Sequence, residues 1–408
     1  MKKAFAVLAA LILLLTFSFR AYSKDLPYVI LISMDGMRYD QPSEKMMPFL
    51  DSIGDAGVKA YSLRPVFPSK TFPNHLSIIT GMYPQNHGII ANSFINPNTG
   101  EEYALFNRES VIDPKWYDGE PFWETAKKNG IRTASYFWPG SEMTLDYRSP
   151  DYFMRYNHDT PFPERVDSVL GWINLPYKDR PHFMTLYFHE PDSKSHEYGP
   201  DSEEVKQALP LLDSMLMRLF KGIDSAGMKD SINVIILSDH GMTDVSSKRT
   251  VDIEKILDGK NVLIQNYGTF AMIDPKDEDI NEIYNLFYYN QEHYKAFTKG
   301  NIPEHYHYHK HPFISPIILI ADSGWLLTEG SKTDSYITKM AGTHGFDNNH
   351  LDMHSIFFAA GPVFKNGYRT GTLWNIDIYP LLCRIFNIEP SPHIDGKIER
   401  IGFILKDE

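Results

Sequence analysis

Tyr28-Val-Ile-Leu-Ile-Ser-Met-Asp-Gly-Met-Arg38 is an apolar run that ends in an acid and a glycine. Such a run is typical of a parallel strand buried on both faces, with Asp35 at its carboxyl end. Similar runs recur at residues 181–192, 232–241 and 355–362. We therefore expect buried parallel strands at all four places, with polar side chains where they end.

Helical patterns lie between these runs. Residues 121–130 have apolar side chains at helical spacing and end on a glycine, and residues 202–224 extend the same pattern over a longer span. This alternation predicts an α/β fold, with a mixed, mostly parallel sheet flanked by helices and a site along its carboxyl edge. Residues from about 261 to 327 change in character and predict a smaller α+β insertion that returns to the main sheet before His344.

The composition is that of a globular protein. The chain has 408 residues, 42% of them hydrophobic, and a formal net charge of −12, which argues against general electrostatic binding of nucleic acid. The single cysteine, Cys383, lies on the apolar face of a predicted helix, so we expect a buried structural thiol. Without internal repeats or a low-complexity linker, residues 24–408 are expected to form a single compact domain.

The amino terminus has the pattern of a targeting segment. Two lysines precede an apolar run at residues 4–19, and small or polar residues follow it. This predicts a secretory signal peptide at residues 1–23 and no transmembrane anchor in the mature chain. A membrane anchor remains the alternative, although a spanning helix needs roughly 20 apolar residues. Export without disulfides suits a periplasmic or secreted protein.

Four separated segments offer metal ligands at a strand end or in the turn after it. Each segment alone has an ordinary explanation as a solvated pair or a strand-end turn. Together, three carboxylates and three imidazoles could hold two divalent ions, and imidazole favours zinc over magnesium or calcium. Two such ions stabilise the attacking and leaving oxygens of a displacement at phosphorus, which predicts phosphoryl or related ester transfer. In chain order the ligands are Asp35, Asp192, His196, Asp239, His240 and His344.

The candidate nucleophile is Thr71, in the Pro-bracketed turn Phe67-Pro-Ser-Lys-Thr-Phe-Pro-Asn-His75 ahead of a helical segment. Metal coordination would lower the pKa of its hydroxyl, and a helix N-terminus favours an incoming anion. The alternative is that Thr71 only caps the helix.

Long motifs then identify a family. Pro68-Ser-Lys-Thr-Phe-Pro-Asn-His75 is followed by Thr80-Gly-Met-Tyr-Pro-Gln-Asn-His-Gly-Ile-Ile90, and further motifs occur at residues 116–123, 137–142, 190–200, 238–242 and 342–345. Together they resemble the nucleotide pyrophosphatase/phosphodiesterase family of the alkaline phosphatase superfamily, over nearly the whole of residues 24–408. The resemblance implies an alkaline-phosphatase-like fold. Because the chain lacks the cysteines and the extra amino-terminal module of the animal relatives, we expect a bacterial member.

The resemblance also assigns roles to single residues. It implies one zinc ion bound by Asp192, His196 and His344. It implies a second bound by Asp35, Asp239 and His240, with the Thr71 hydroxyl completing that site. Asn92 matches the family asparagine that donates to a non-bridging phosphate oxygen, alongside the backbone of Thr71 and Phe72. Such fixed donors stabilise developing charge.

A base-binding slot is implied as well. Phe72 and Tyr156 match two aromatic residues that sandwich the nucleoside, and stacking of this kind tolerates several bases. Tyr187 aligns with another pocket tyrosine. Trp138 is equally explained as a pocket residue or as ordinary packing.

Other histidines need a separate interpretation. Residues 304–311 contain four histidines that alternate mainly with tyrosine, a pattern that predicts a strand with one polar face rather than a third metal site. His75 and His87, within the nucleophile segment, are expected to form structural hydrogen bonds.

These features and the resemblance lead to the hypothesis of a two-zinc phosphodiesterase and nucleotide pyrophosphatase. It would release nucleoside 5′-monophosphates through a covalent threonine intermediate. Its partner would be a nucleotide-type small molecule, with no stable nucleic acid complex, and the sequence does not specify an oligomeric state. One alternative is a phosphodiesterase acting on choline-type lysophospholipids, since aromatic side chains also bind quaternary ammonium groups. A phosphate monoesterase is less favoured because no arginine occurs in the motifs that carry the family resemblance.

Overall fold

The computed structural model describes residues 26–330 and 339–407. The signal peptide predicted at residues 1–23 lies outside the described residues. The helices are α1 Pro48–Ala56, α2 Thr71–Thr80, α3 Pro84–His87, α4 Arg108–Ile112, α5 Phe122–Lys128, α6 Phe162–Ile173, α7 Asp192–Tyr198, α8 Glu203–Ser225, α9 Ile253–Leu257, α10 Ile280–Tyr289 and α11 Ile378–Phe386.

The strands are short in the insertion and longer in the main sheet. They are β1 Tyr28–Met34, β2 Val58–Arg64, β3 Ser93–Ile95, β4 Glu102–Ala104, β5 Thr133–Tyr136, β6 Tyr152–Met154, β7 Phe183–Phe188, β8 Ile232–Leu237, β9 Thr243–Asp244, β10 Thr250–Asp252, β11 Leu263–Gln265, β12 Phe270–Asp274, β13 Tyr294–Thr298, β14 Ile317–Ala321, β15 Leu326–Thr328, β16 Gly342–Thr343, β17 Phe357–Ala360 and β18 Tyr368–Trp374.

The centre of the described structure is a large sheet with strand order β18-β2-β17-β8-β1-β7-β5-β6. Strand β1 pairs in parallel with both β7 and β8, so that Ser33 lies opposite Tyr187 on one side and Leu237 on the other. Every residue of these three strands is buried, as a strand covered on both faces requires. The predicted α/β fold with a mostly parallel sheet is confirmed.

One strand runs against the prediction. The apolar run at 355–362 forms β17, which is antiparallel to both of its neighbours, β2 and β8. Its carboxyl end therefore lies at the edge away from the ligands and contributes none of them. The error has a simple cause, because an apolar run indicates burial on both faces but carries no information about strand direction.

Apolar layers cover both faces of the sheet. Ile30 and Ile32 of β1 face the layer that includes α6 and α8, and the alternate residues Val29 and Leu31 face the layer that includes α2, α5 and α11. The alternation follows from the two-residue period of a strand. Cys383 lies in the second layer, where burial raises the pKa of its thiol to about 12, as expected for an unreactive structural cysteine.

The long helix begins and ends close to its predicted limits. The side chain of Ser202 accepts a hydrogen bond from the backbone N–H of Val205, which caps α8. No helix among the described residues has both the length and the apolar composition needed to cross a bilayer.

The predicted α+β insertion is present. Strands β11, β12, β14 and β13 form an antiparallel sheet in that order, and α10 packs on it. The histidine-rich tract, however, is not a strand. Residues Glu304–Tyr306 form a 3-10 turn and His307 has a left-handed backbone with φ 47°, which stops an extended chain. The alternation survives only in burial, since Tyr306 and Tyr308 are buried.

Candidate active site

The carboxyl ends of β1, β7 and β8 lie side by side, and the acidic ligands follow them. Asp35 comes directly after β1, Asp239 follows β8, and Asp192 begins α7 after β7. Gly36 allows these segments to approach, because it has φ +69° and an added Cβ would lie 2.8 Å from the Cβ of Asp192. The backbone N–H of Asp192 donates to the carbonyl of Asp35 at 3.1 Å.

The three imidazoles are all held in the same way, with Nδ1 bonded to a backbone carbonyl. Because Nδ1 donates its proton to that carbonyl, Nε2 carries a lone pair, which is the arrangement found in histidine ligands of metals. The pairs are His196 with Gly342 at 2.9 Å, His240 with Gly241 at 2.9 Å, and His344 with Ser69 at 2.7 Å.

Each carboxylate leaves one oxygen unpaired. Asp35 Oδ2 accepts from the Tyr187 hydroxyl at 2.6 Å, and Asp239 Oδ1 accepts from the hydroxyl of Ser238 at 3.2 Å. The remaining atoms, Asp35 Oδ1, Asp239 Oδ2 and Asp192 Oδ1, are buried without a hydrogen-bond partner. Buried polar atoms are nearly always paired, so three unpaired carboxylate oxygens in one place fit a bound cation.

The spacing of the unpaired atoms suits zinc. Asp192 Oδ1 lies 3.5 Å from His196 Nε2 and 3.6 Å from His344 Nε2. His240 Nε2 lies 3.4 Å from Asp35 Oδ1 and 3.1 Å from Asp239 Oδ2. Two ligands of a tetrahedral zinc, each at about 2.1 Å, are about 3.4 Å apart.

The two ligand groups adjoin each other. The ligand atoms of Asp35, Asp192 and His240 also lie within 4.8 Å of one another, so Asp35 and Asp192 stand between the groups. The structure thus brings together all six side chains that the sequence predicts as ligands.

The electrostatics of the cluster also favour a cation. Burial, together with the nearby carboxylates of Asp239 and Asp192, raises the pKa of Asp35 well above its usual range. Burial, together with His240 and the Lys70 ammonium, holds the pKa of His344 well below its usual range, which keeps this imidazole neutral and able to bind a metal.

Thr71 is the first residue of α2, and its side chain does not cap the helix. The capping position belongs to Lys70, whose backbone is extended and whose side chain makes no capping bond. The Thr71 hydroxyl instead lies 3.3 Å from His240 Nε2 and donates to it. The N-cap alternative is therefore wrong, and the hydroxyl faces the ligands Asp35, Asp239 and His240.

Asn74 fixes the turn that carries Thr71, a role that the sequence analysis did not assign. Its amide group donates to the carbonyls of Pro68 at 3.0 Å and Lys70 at 2.8 Å. Its oxygen accepts from Val66 N–H and from the side chain of Asn375, both at 2.8 Å. The only signal in the sequence was its place inside the nucleophile motif.

Asn92 lies beside the nucleophile with its oxygen already engaged. Its Oδ1 accepts the backbone N–H of Phe72 at 3.0 Å. The Phe72 N–H, expected as a donor to the substrate, is thus used to orient Asn92. The Asn92 Nδ2 group is left as the remaining hydrogen-bond donor of this side chain.

Of the expected pocket aromatics, two lie at the site with exposed surface. Tyr156 is 45% exposed, and its ring packs edge-on against Phe137 with centroids 5.2 Å apart. Burial of its remaining surface raises the pKa of Tyr156 to about 12, which keeps the phenol neutral. Phe72 is partly buried and its ring lies 6.4 Å from that of Tyr103.

The other two expected pocket residues have different positions. Tyr187 is 8% exposed and donates to Asp35, so it orients a ligand rather than offering a face to substrate. Trp138 is 2% exposed and its indole N–H donates to the carbonyl of His75, which favours the packing interpretation.

The nucleophile segment has two further buried histidines. His75 Nδ1 lies 2.9 Å from the Thr71 carbonyl and 3.3 Å from Asp239 Oδ2, and its Nε2 bonds to Ser33 Oγ at 2.9 Å. Both nitrogens are thus engaged, as expected of a structural residue. His87 bonds to the Ser77 hydroxyl at 3.0 Å, and burial lowers its pKa to about 3.

Comparison with known proteins places this site among relatives. A family model described as type I phosphodiesterase / nucleotide pyrophosphatase matches residues 29–347. Human ectonucleotide pyrophosphatase/phosphodiesterase family member 1 is 36% identical over 395 residues, which cover 93% of this chain and 42% of that protein. The bis(5'-adenosyl)-triphosphatase enpp4 of Xenopus laevis is 34% identical over 384 residues, which cover 94% of this chain and 82% of that protein.

Solved structures agree. Human ectonucleotide pyrophosphatase/phosphodiesterase 5 aligns with a TM-score of 0.87 and 31% identity over 93% of this chain and 100% of that one. The murine protein, in an inactive form in complex with AMP, aligns with a TM-score of 0.87 and 30% identity over the same shares. The chain spans less than half the length of several relatives. The relatives named here are animal proteins and give no support to the expected bacterial origin.

The crowded carboxylates predict that Asp35→Asn stabilises the metal-free protein. The amide keeps the hydrogen bond from Tyr187 and removes a charge beside two other carboxylates. We therefore expect the free energy of unfolding at pH 7 to increase by about 1 kcal/mol or more. Zinc should then raise the melting temperature of wild type far more than that of the variant. Thermal melts with and without zinc measure both effects.

The same prediction has a pH signature. The raised pKa of Asp35 means that the folded state retains a proton which the unfolded state has lost, so the Asp35 contribution to stability declines as pH rises above about 4. The stability gained by Asp35→Asn over metal-free wild type should therefore increase with pH. Asp230→Asn, at an exposed position, is the control. A less stable Asp35→Asn protein would contradict the repulsion.

Proposed function

Because the chain belongs to the type I phosphodiesterase / nucleotide pyrophosphatase family, we propose that it hydrolyses phosphodiester and pyrophosphate bonds of nucleotides and releases nucleoside 5′-monophosphates. One observation carries the proposal. The Thr71 hydroxyl lies beside a cluster of three unpaired carboxylate oxygens and three imidazole Nε2 atoms that carry lone pairs.

Residues of the chain have separate roles in a double displacement. Thr71 Oγ1 attacks phosphorus, the bond to the leaving oxygen breaks, and water later cleaves the threonine ester to regenerate the hydroxyl. Asn92 Nδ2 donates to a non-bridging oxygen as charge develops on it. Zinc ions held by the six ligands would act as Lewis acids, so that the Thr71 hydroxyl loses its proton to solvent near neutral pH.

Phe72 and Tyr156 would hold the nucleoside. Phe72 follows the nucleophile directly, and Tyr156 lies beside Tyr187, with ring centroids 6.3 Å apart, next to the Asp35 ligand. Two partly exposed aromatic rings near the reacting group suit a flat base. The murine relative in complex with AMP supports a nucleotide ligand.

We also propose that the protein acts in the periplasm or outside the cell, with residues 1–23 removed as a signal peptide. Its support is the sequence pattern of that segment. Amino-terminal sequencing of the protein recovered from the exported fraction should give a chain that starts near Lys24. An intact amino terminus on membrane-bound protein would favour an anchor instead.

The first catalytic prediction concerns the nucleophile. Zinc-loaded wild type should cleave p-nitrophenyl thymidine 5′-monophosphate strongly, and Thr71→Ala should lower kcat by about a thousandfold or more because no covalent ester can form. Thr71→Ser keeps a hydroxyl and should retain part of the activity. The assay follows release of p-nitrophenol.

Two comparison substrates decide the class of reaction. Preference for p-nitrophenylphosphorylcholine would reassign the aromatic slot to a choline group on the same catalytic site. Preference for p-nitrophenyl phosphate would mean a monoesterase. Equal activity of Thr71→Ala and wild type would remove Thr71 as the nucleophile.

The second catalytic prediction concerns the base slot. Tyr156→Ala should raise KM for nucleotide esters about tenfold, since stacking on an aromatic ring contributes about 1–3 kcal/mol per base. Tyr156→Phe keeps the ring and should stay close to wild type. Tyr147→Ala, at a 59% exposed tyrosine, is the matched control. An unchanged KM in Tyr156→Ala would place the base elsewhere.

A further inference from the structure

Lys70 places a positive charge at one end of the ligand cluster. It directly precedes Thr71, and its partly buried side chain lies across Gly345, the residue after the ligand His344. Gly345 has φ +112°, and an added Cβ there would lie 2.3 Å from Lys70 Cε and 2.9 Å from Nζ. Because only glycine leaves that space free, the local backbone accommodates the lysine side chain in this position.

The ammonium has no partner of its own. Among residues 26–330 and 339–407, no hydrogen bond or ion pair reaches Lys70 Nζ, although it lies in the field of Asp192 and of His344. A partly buried cation without a bonded anion is unfavourable. Binding of divalent cations at the neighbouring ligands would add more positive charge, so the occupied site would favour an anion beside Lys70.

The geometry of in-line attack determines which part of a substrate lies next to the Lys70 ammonium. The Thr71 hydroxyl bonds to His240, at the end of the cluster formed with Asp35 and Asp239. The attacking and leaving oxygens lie on opposite sides of phosphorus. The leaving oxygen therefore faces the other end, where Asp192 and His344 lie and where Lys70 is placed.

We propose that Lys70 binds the phosphate group attached to the leaving oxygen and makes the site selective for pyrophosphate bonds over phosphodiesters with a phosphate-free leaving group. This inference rests on the proposed function. It adds the residue that recognises the charged phosphate on the far side of the bond that breaks.

The chemistry needs no proton from Lys70. A bond forms between Thr71 Oγ1 and phosphorus, and the bond from phosphorus to the bridging oxygen breaks. The bridging oxygen keeps both electrons, so the departing phosphate or pyrophosphate gains one negative charge. The Lys70 ammonium pairs with the non-bridging oxygens of that departing phosphate, which p-nitrophenolate does not have.

The test compares two substrates in one assay series. Lys70→Gln should lower kcat/KM for ATP about tenfold to a hundredfold more than for p-nitrophenyl thymidine 5′-monophosphate, the range expected for one charged contact. Lys70→Arg keeps the charge and should restore most of the ratio. Lys45→Gln, which removes an exposed lysine outside these motifs, should leave the ratio unchanged.

A binding measurement gives a second readout. In the Thr71→Ala background, loaded with zinc, Lys70→Gln should weaken calorimetric binding of inorganic pyrophosphate about tenfold or more, while the zinc content of both proteins stays equal. An unchanged substrate ratio and unchanged pyrophosphate affinity would overturn the role of Lys70 and leave the proposed function intact. Failure of wild type to cleave either substrate would instead remove the proposed function itself.

Discussion

The repulsion between three closely spaced carboxylates is the constraint on which the site depends. Asp35, Asp192 and Asp239 each direct an unpaired oxygen into the same small volume, an arrangement that is unfavourable without a cation. Their other contacts resist this repulsion, with Tyr187 holding Asp35 and Ser238 holding Asp239. Rigid supports of this kind let a metal bind without rearranging its ligands, and for this reason the buried central strands matter to function as well as to stability.

The histidine ligands are likewise held in position, by hydrogen bonds to the backbone of the loops. Each histidine ligand donates to a backbone carbonyl, and one of those carbonyls belongs to Ser69, two residues before the nucleophile. The bond from His344 to Ser69 therefore links the metal ligands to the turn that carries Thr71. Asn74 closes the same turn from the other side. Ligand geometry and nucleophile position thus depend on shared hydrogen bonds.

The features of this protein that could be predicted are those that depend on local sequence patterns. Asp35 and Asp239 could be placed because each lies within two residues of the end of a buried strand, and parallel strands bring their carboxyl ends to one edge. The direction of β17 could not be predicted, since it depends on which neighbours the strand meets in the sheet. The donor role of Tyr187 was missed for a related reason. Its side chain reaches Asp35 across the β1–β7 pairing, a contact between residues far apart in sequence.

The histidine-rich tract shows why an alternating pattern alone led to the wrong prediction of a strand. Its alternation comes from the tyrosines, whose rings pack on Phe67 with centroids 4.9 Å and 5.2 Å away, at the start of the nucleophile segment. The hydroxyl of Tyr308 also donates to the carbonyl of Ile90, two residues before Asn92. The insertion therefore supports both the segment that carries the nucleophile and the segment that carries the phosphate donor. Asn92 accepts the Phe72 N–H only while those two segments keep their relative position. Burial of the tyrosines, rather than metal binding, therefore accounts for the pattern.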